Sequence, residues 1–210
     1  MLDSYANQYR DTELDPDLLS FPLKVHTYWH VITGAPCSGK TTLLDLLADM
    51  GYKTIPEAGR TFIESELVKG FSIDEIRQDQ AGLTFQIYAL MLNNESGLDP
   101  GEVCFLDRAL PDAPAFYRFA GMNPNDALPE CFQYHYRSVF ILDRLPYQID
   151  GVRVADDPTA EYLDTWIERD YKAMGYNFVR VPVLSPEERL SFILERLSEN
   201  EHRKWSAKNG

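Results

Sequence analysis

The run Gly34-Ala35-Pro36-Cys37-Ser38-Gly39-Lys40-Thr41 fits G-x-x-x-x-G-K-[ST], the pattern of a phosphate-binding loop. It constrains the fold because such a loop works only between a strand and a helix. Upstream, Thr27-Tyr28-Trp29-His30-Val31-Ile32-Thr33 is β-branched and aromatic and predicts a buried strand. Downstream, Leu43, Leu44, Leu46, Leu47 and Met50 mark a helical apolar face that Gly51 ends. Gly34 and Gly39 let the backbone turn and approach phosphate oxygens without a Cβ in the way. Successive N–H groups from Gly34 through Ala35, Pro36, Cys37 and Ser38 to Gly39, where proline alone lacks the donor, predict a concave anion site. Lys40 can reach β- and γ-phosphates, the Thr41 hydroxyl suits Mg²⁺, and Thr42 stands at the helix N-terminus that favours anions.

Beyond the loop, strands and helices alternate. Tyr52–Ile55 predicts a short strand stopped by Pro56, and residues 58–69 a helix stopped by Gly70. Ser72-Ile73-Asp74-Glu75 is a capping box that opens one long helix to about Asn93. Residues 102–106 and 138–142 read as buried strands, each followed by Asp-Arg: Asp107-Arg108 and Asp143-Arg144. A helix from Asp157 to Gly175, a strand at 178–182 and a helix capped at Ser185 complete the pattern. Residues 1–26 read as an acidic N-terminal extension, 27–198 as one domain with a lid at 145–157, and 199–210 as a polar tail. The alternation implies a parallel sheet with helices on both faces, a three-layer α/β/α fold whose ligands sit at the C-terminal strand ends.

The net charge of −13 argues against nonspecific nucleic-acid or anionic-membrane binding, although a local cradle still admits an anionic nucleotide. Cys37, Cys104 and Cys131 show no metal-ligand spacing and suit a reducing compartment. The first twenty residues carry Asp3, Arg10, Asp11, Glu13, Asp15 and Asp17 where a secretory signal has an apolar core, and no stretch reaches membrane-span length, so a cytoplasmic protein is expected.

Phosphoryl transfer needs a carboxylate near Mg²⁺, a carboxylate for the acceptor hydroxyl, positive charge on the moving group and a cover against water. Asp107, Glu57, the pair Arg60 and Arg108, and Arg153 in the 145–157 segment answer these in turn. Each has a plainer reading. Glu57 can serve as a helix N-terminal carboxylate, Asp107 and Arg108 as a strand-end ion pair, and Arg153 as a solvated loop arginine. The aromatics Phe116, Tyr117, Phe119, Phe132, Tyr134 and Tyr136 suit core packing better than an acceptor pocket.

Gly34–Thr41, Pro56-Glu57-Ala58-Gly59-Arg60, Phe105-Leu106-Asp107-Arg108, Gly175-Tyr176, Val181-Pro182 and Glu188-Arg189, taken in order, resemble the small AAA-named P-loop family. That family groups with the nicotinamide riboside kinase domain of bacterial NAD regulators, and the resemblance covers about residues 28–197. The Glu57 and Asp107-Arg108 positions also resemble deoxynucleoside kinases, in which such a glutamate acts as base and an acidic-Arg pair follows the third strand. Gln86, after Phe85, stands where those enzymes contact a base. The resemblance implies a kinase-like P-loop fold with a parallel five-stranded sheet in the order 2-3-1-4-5. The 145–157 segment departs from nucleoside kinases in offering Arg153 alone, with Asp150, Asp156 and Asp157 around it.

The reading is therefore a small-molecule kinase that transfers the γ-phosphoryl of ATP, with Mg²⁺, to a nucleoside-like or otherwise hydroxylated acceptor. The rival is a nucleotide-binding switch with little turnover that acts through a protein or lipid partner. A plain NTPase lacks an identifiable water-positioning residue. No guanine-specifying N-K-x-D stretch occurs, which favours ATP while leaving GTP open in this fold.

Overall fold

In a computed structural model, residues 8–145 and 157–209 are described. The elements in chain order are α1 (Pro16–Leu19), β1 (Val25–His26), β2 (Trp29–Thr33), α2 (Lys40–Asp49), β3 (Lys53–Ile55), α3 (Ala58–Val68), α4 (Ile73–Arg77), α5 (Gln80–Ser96), β4 (Cys104–Asp107), α6 (Ala113–Phe119), β5 (Tyr134–His135), β6 (Ser138–Leu142), α7 (Asp157–Ala173), β7 (Phe178–Val181) and α8 (Pro186–Asn209). The strand order of the main sheet is β3-β4-β2-β6-β7, with every neighbour parallel. Numbered by appearance in that sheet, its strands lie 2-3-1-4-5. β2 is central and buried at every position, as its β-branched and aromatic residues require.

Alternation along β2 divides the core. Trp29 and Val31 pack with α5, α6 and α7 on one face, against Tyr88, Tyr117, Trp166 and Tyr171. Ile32 packs on the other with Leu43, Leu44 and Leu47 of α2 and Ile193 of α8. Met50, expected on the apolar face of α2, is its C-cap and is exposed. The helix read as continuous from Ser72 is two. The Ser72–Glu75 box caps α4, and Asp79 then starts α5 by accepting from Gly82 N at 2.9 Å. Gly82 permits that cap, because a Cβ there would lie 2.2 Å from the Asp79 carboxylate. The stretch from residue 199, read as a polar tail, continues α8 to Asn209.

The N-terminal segment is tied to the domain. Val25–His26 pairs in parallel with Tyr134–His135, and Arg118 Nε donates to Thr12 O at 2.6 Å. Arg118 also forks onto Asp170 at 2.6 and 2.9 Å and lies over the Trp166 ring, so this buried charge pair is bidentate and packed.

Glu95 of α5 is only 2% exposed. It accepts from Leu110 N at 3.0 Å and from Tyr136 Oη at 2.5 Å. Burial pushes its carboxyl up to about 8, against the pull of those hydrogen bonds. The unfolded chain ionises near 4.5 and the folded chain near 8, so stability is lost as pH rises through that window and is level above it. Glu95→Gln keeps both partners and has no proton to lose. Its stability relative to the parent should rise between those limits by up to ~1.4 kcal/mol per pH unit. Urea midpoints of the two proteins at pH 5 and pH 8 check this; a pH-independent difference would assign the titration elsewhere.

Candidate functional site

The loop after β2 takes its shape from local sterics. Gly34 has φ +134°, Cys37 φ +60° and Gly39 φ +89°. A Cβ on Gly34 would come 2.7 Å from Leu142 O at the end of β6, so only glycine fits. Positive φ alternating with ordinary backbone turns successive N–H groups inward into a concavity. Gly39 caps α2 with no side-chain hydrogen bond, which leaves the first-turn N–H groups of α2 uncapped by a side chain and open to an anion. Thr41 is half-buried and Thr42 exposed in that first turn.

Lys40 is 5% exposed and curls back over the loop, its Nζ 2.9 Å from Ala35 O, 3.4 Å from Gly34 O and 3.5 Å from Ser38 Oγ. Burial and then the neighbouring Arg108 charge bring its pKa down to about 8. Asp107 ends β4 beside the loop, paired in register with Ile32. It is 5% exposed, and its Oδ1 is buried without a hydrogen-bond partner. Burial raises its carboxyl to about 6, with Lys40 opposing.

Arg108 adopts left-handed backbone at φ +70°, uncommon for a residue with a Cβ. That turn aims its guanidinium back across the strand ends. Nε donates to Glu57 Oε1 at 3.0 Å and Nη1 to Gly34 O at 2.9 Å. Its ion pairs run to Glu57 and, at 3.5 Å, to Asp112. Burial disfavours its charge, but Glu57, Asp112 and Asp107 outweigh this and raise its pKa. Glu57 occupies the N-cap of α3 without making a side-chain cap, because its carboxylate turns to Arg108 instead. Burial alone would raise the Glu57 carboxyl; Arg108, Lys40 and Arg60 together hold it below the usual range.

The structure thus gathers Gly34–Thr42, Glu57, Asp107 and Arg108 at the C-terminal ends of β2, β3 and β4. Arg60 is exposed in the first turn of α3. Gln86 is exposed on α5, away from the buried Thr84 and Tyr88. Arg153 and most of the 145–157 segment lie outside the described residues. Of the aromatics, Tyr117, Phe132 and Tyr136 are buried core, while Phe116 is partly exposed and lies 4.8 Å under the Arg108 guanidinium.

Asp112 was not legible in the sequence. It accepts from the Thr33 hydroxyl, from Ala109 N at 3.0 Å and from Tyr171 Oη at 2.8 Å. It thereby joins the end of β2, the turn after β4 and α7. Among the described residues no cluster of three or more His, Cys, Asp or Glu forms a metal cage, and no helix is long and apolar enough to cross a membrane.

A family model described as an AAA domain matches residues 29–189. No curated protein sequence matches the chain. Among solved structures, a NadR protein in complex with NR superposes with a TM-score of 0.55 at 16% identity, over 74% of this chain and 45% of that one. The chain therefore spans under half the length of that NadR chain. Deoxyadenosine kinase from M. mycoides, with dCMP and dCDP bound, gives 0.54 at 17% identity over 81% and 98% of the two chains. Shikimate kinase from Aquifex aeolicus gives 0.50 at 18% over 82% and 98%. At such identities the likeness establishes the fold, that of small P-loop kinases.

Proposed function

The chain belongs to the AAA domain family, and we propose that it is a phosphotransferase that moves the γ-phosphoryl of ATP to a nucleoside-like or other hydroxylated small molecule. The observation that carries this reading is the Glu57–Arg108–Gly34 connection. It sets a carboxylate and a fixed cation together at the mouth of a phosphate cradle. A nucleotide switch needs the cradle but has no use for that carboxylate.

Lys40 leaves its neutral carbonyl partners for phosphate oxygens, which form stronger charge-assisted hydrogen bonds. Arg108 offsets charge on the transferring group. Glu57 orients the acceptor hydroxyl, with Arg60 and Gln86 on the acceptor side and Phe116 as the apolar wall. Mg²⁺ fits the residues present: Asp107 Oδ1 is a buried acceptor without a partner, and Thr41 stands in the first turn of α2. Thr41 and, through water, Asp107 would hold the ion, which would supply neutralisation of phosphate charge.

The test is ADP release from Mg-ATP across nucleosides, vitamins, sugars and amino acids. One acceptor class should raise release well above the acceptor-free rate. A flat panel with ATP binding intact would replace the kinase with a switch that acts through a protein or lipid partner.

A further inference from the structure

Arg189 is out of place by the rules that govern helices. It stands in the first turn of α8, where the helix dipole repels a cation. It is also only 3% exposed. The Ser185–Glu188 box already caps this helix: Glu188 Oε2 accepts from Ser185 N at 2.9 Å and Ser185 Oγ from Glu188 N at 3.3 Å. Arg189 is not needed for that. Its guanidinium instead spans three loops, and its partners are main-chain carbonyls. Nη1 donates to Ser38 O at 2.6 Å, Nη2 to Asp143 O at 3.0 Å and Nε to Pro182 O at 2.9 Å. A buried cation at the wrong end of a helix persists where something else requires it.

The Ser38 contact shows what requires it. In a trans peptide the C=O and the following N–H point in opposite directions, and the described chain has no cis bond. A guanidinium that draws Ser38 O outward therefore turns the Gly39 N–H inward, towards the cradle. The positive charge also polarises that peptide and strengthens its N–H as a donor. Arg189 Nη1 would lie 3.4 Å from a Cβ at Gly39, so it packs against this very turn. The other two arms brace the chain just past β6 and β7, the two strands on one side of β2.

We propose that Arg189 is a positioning residue for the phosphate cradle, acting from behind the loop by orienting and polarising the Ser38–Gly39 peptide. This rests on the nucleotide-binding part of the function proposed above and not on the identity of the acceptor.

The test uses the full chain with Arg189→Met, which keeps bulk, and Arg189→Lys, which keeps charge but cannot span three carbonyls. Calorimetric titration with ATP and with inorganic tripolyphosphate reads the cradle with and without a base. Both variants should bind both probes about tenfold more weakly. The Gly39 amide proton of the ATP complex should shift upfield, towards a weaker hydrogen bond. Unchanged affinities with a lowered melting temperature would make Arg189 a structural brace only and overturn the inference, while leaving the nucleotide site standing. A parent protein that binds neither probe would remove the nucleotide site itself and the inference with it.

Discussion

Lys40→Ala should lower acceptor-stimulated ADP release by about 10³-fold, the largest loss expected from one side chain in this protein. Three carboxylates, Glu57, Asp107 and Asp112, surround the mouth of the loop, and Arg108 and Lys40 are the buried cations that face them. With Lys40 the three carboxylates already outnumber the two cations; without it Arg108 alone faces them before any nucleotide arrives, and a polyphosphate adds more negative charge. The loop backbone should survive, because Gly34 and Gly39 hold their conformation through glycine sterics and the Leu142 and Arg189 contacts, not through the lysine. Circular dichroism should therefore match the parent while turnover disappears. Turnover within threefold of the parent would remove the phosphate-binding assignment.

That assignment was legible because everything it needs is contiguous. Strand, glycine turn and helix follow one another between residues 29 and 49, and local sterics alone fix their order. The same holds for Asp107, carried to the C-terminal end of the sheet by its own strand. Residues whose contacts depend on distant segments gave no sign of those contacts, even where, as with Glu188-Arg189, they stood in a family motif. Arg189 reaches Ser38 across 151 positions and Asp112 reaches Thr33 across 79, so neither contact exists until the sheet is assembled. Arg108 stood between a phosphate contact and a pair with Asp107. Its left-handed backbone swings it to Glu57 and Gly34 and not to Asp107, a turn that no propensity signals in arginine, and the phosphate role is a proposal. The break between α4 and α5 was hidden for a different reason: the apolar period runs through it, and only the fit of Gly82 under the Asp79 carboxylate reveals the second cap.

Glu57→Gln separates the acceptor chemistry from nucleotide binding. The amide keeps the shape and still offers an oxygen to Arg108 Nε, so Arg108 stays anchored at Gly34 O as well. What is lost is the negative charge that draws the acceptor proton. In the parent, Arg108, Lys40 and Arg60 hold the Glu57 carboxyl below its usual range, which makes it a weak base at neutral pH. A weak base suits a loose phosphoryl transfer, in which the hydroxyl keeps its proton until the leaving group has largely departed. Glu57 then mainly orients the hydroxyl and takes the proton late. Turnover should fall by about 10²- to 10⁴-fold, with the ATP dissociation constant within about threefold of the parent, as expected for a residue that meets the acceptor and Arg108 but not the nucleotide. Because the parent carboxylate is already ionised near neutrality, its turnover should show no acid limb from Glu57 above its depressed pKa. Should Glu57→Gln weaken ATP binding as much as it slows turnover, Glu57 belongs to the nucleotide site, and the acceptor must be sought on the far side of Arg108.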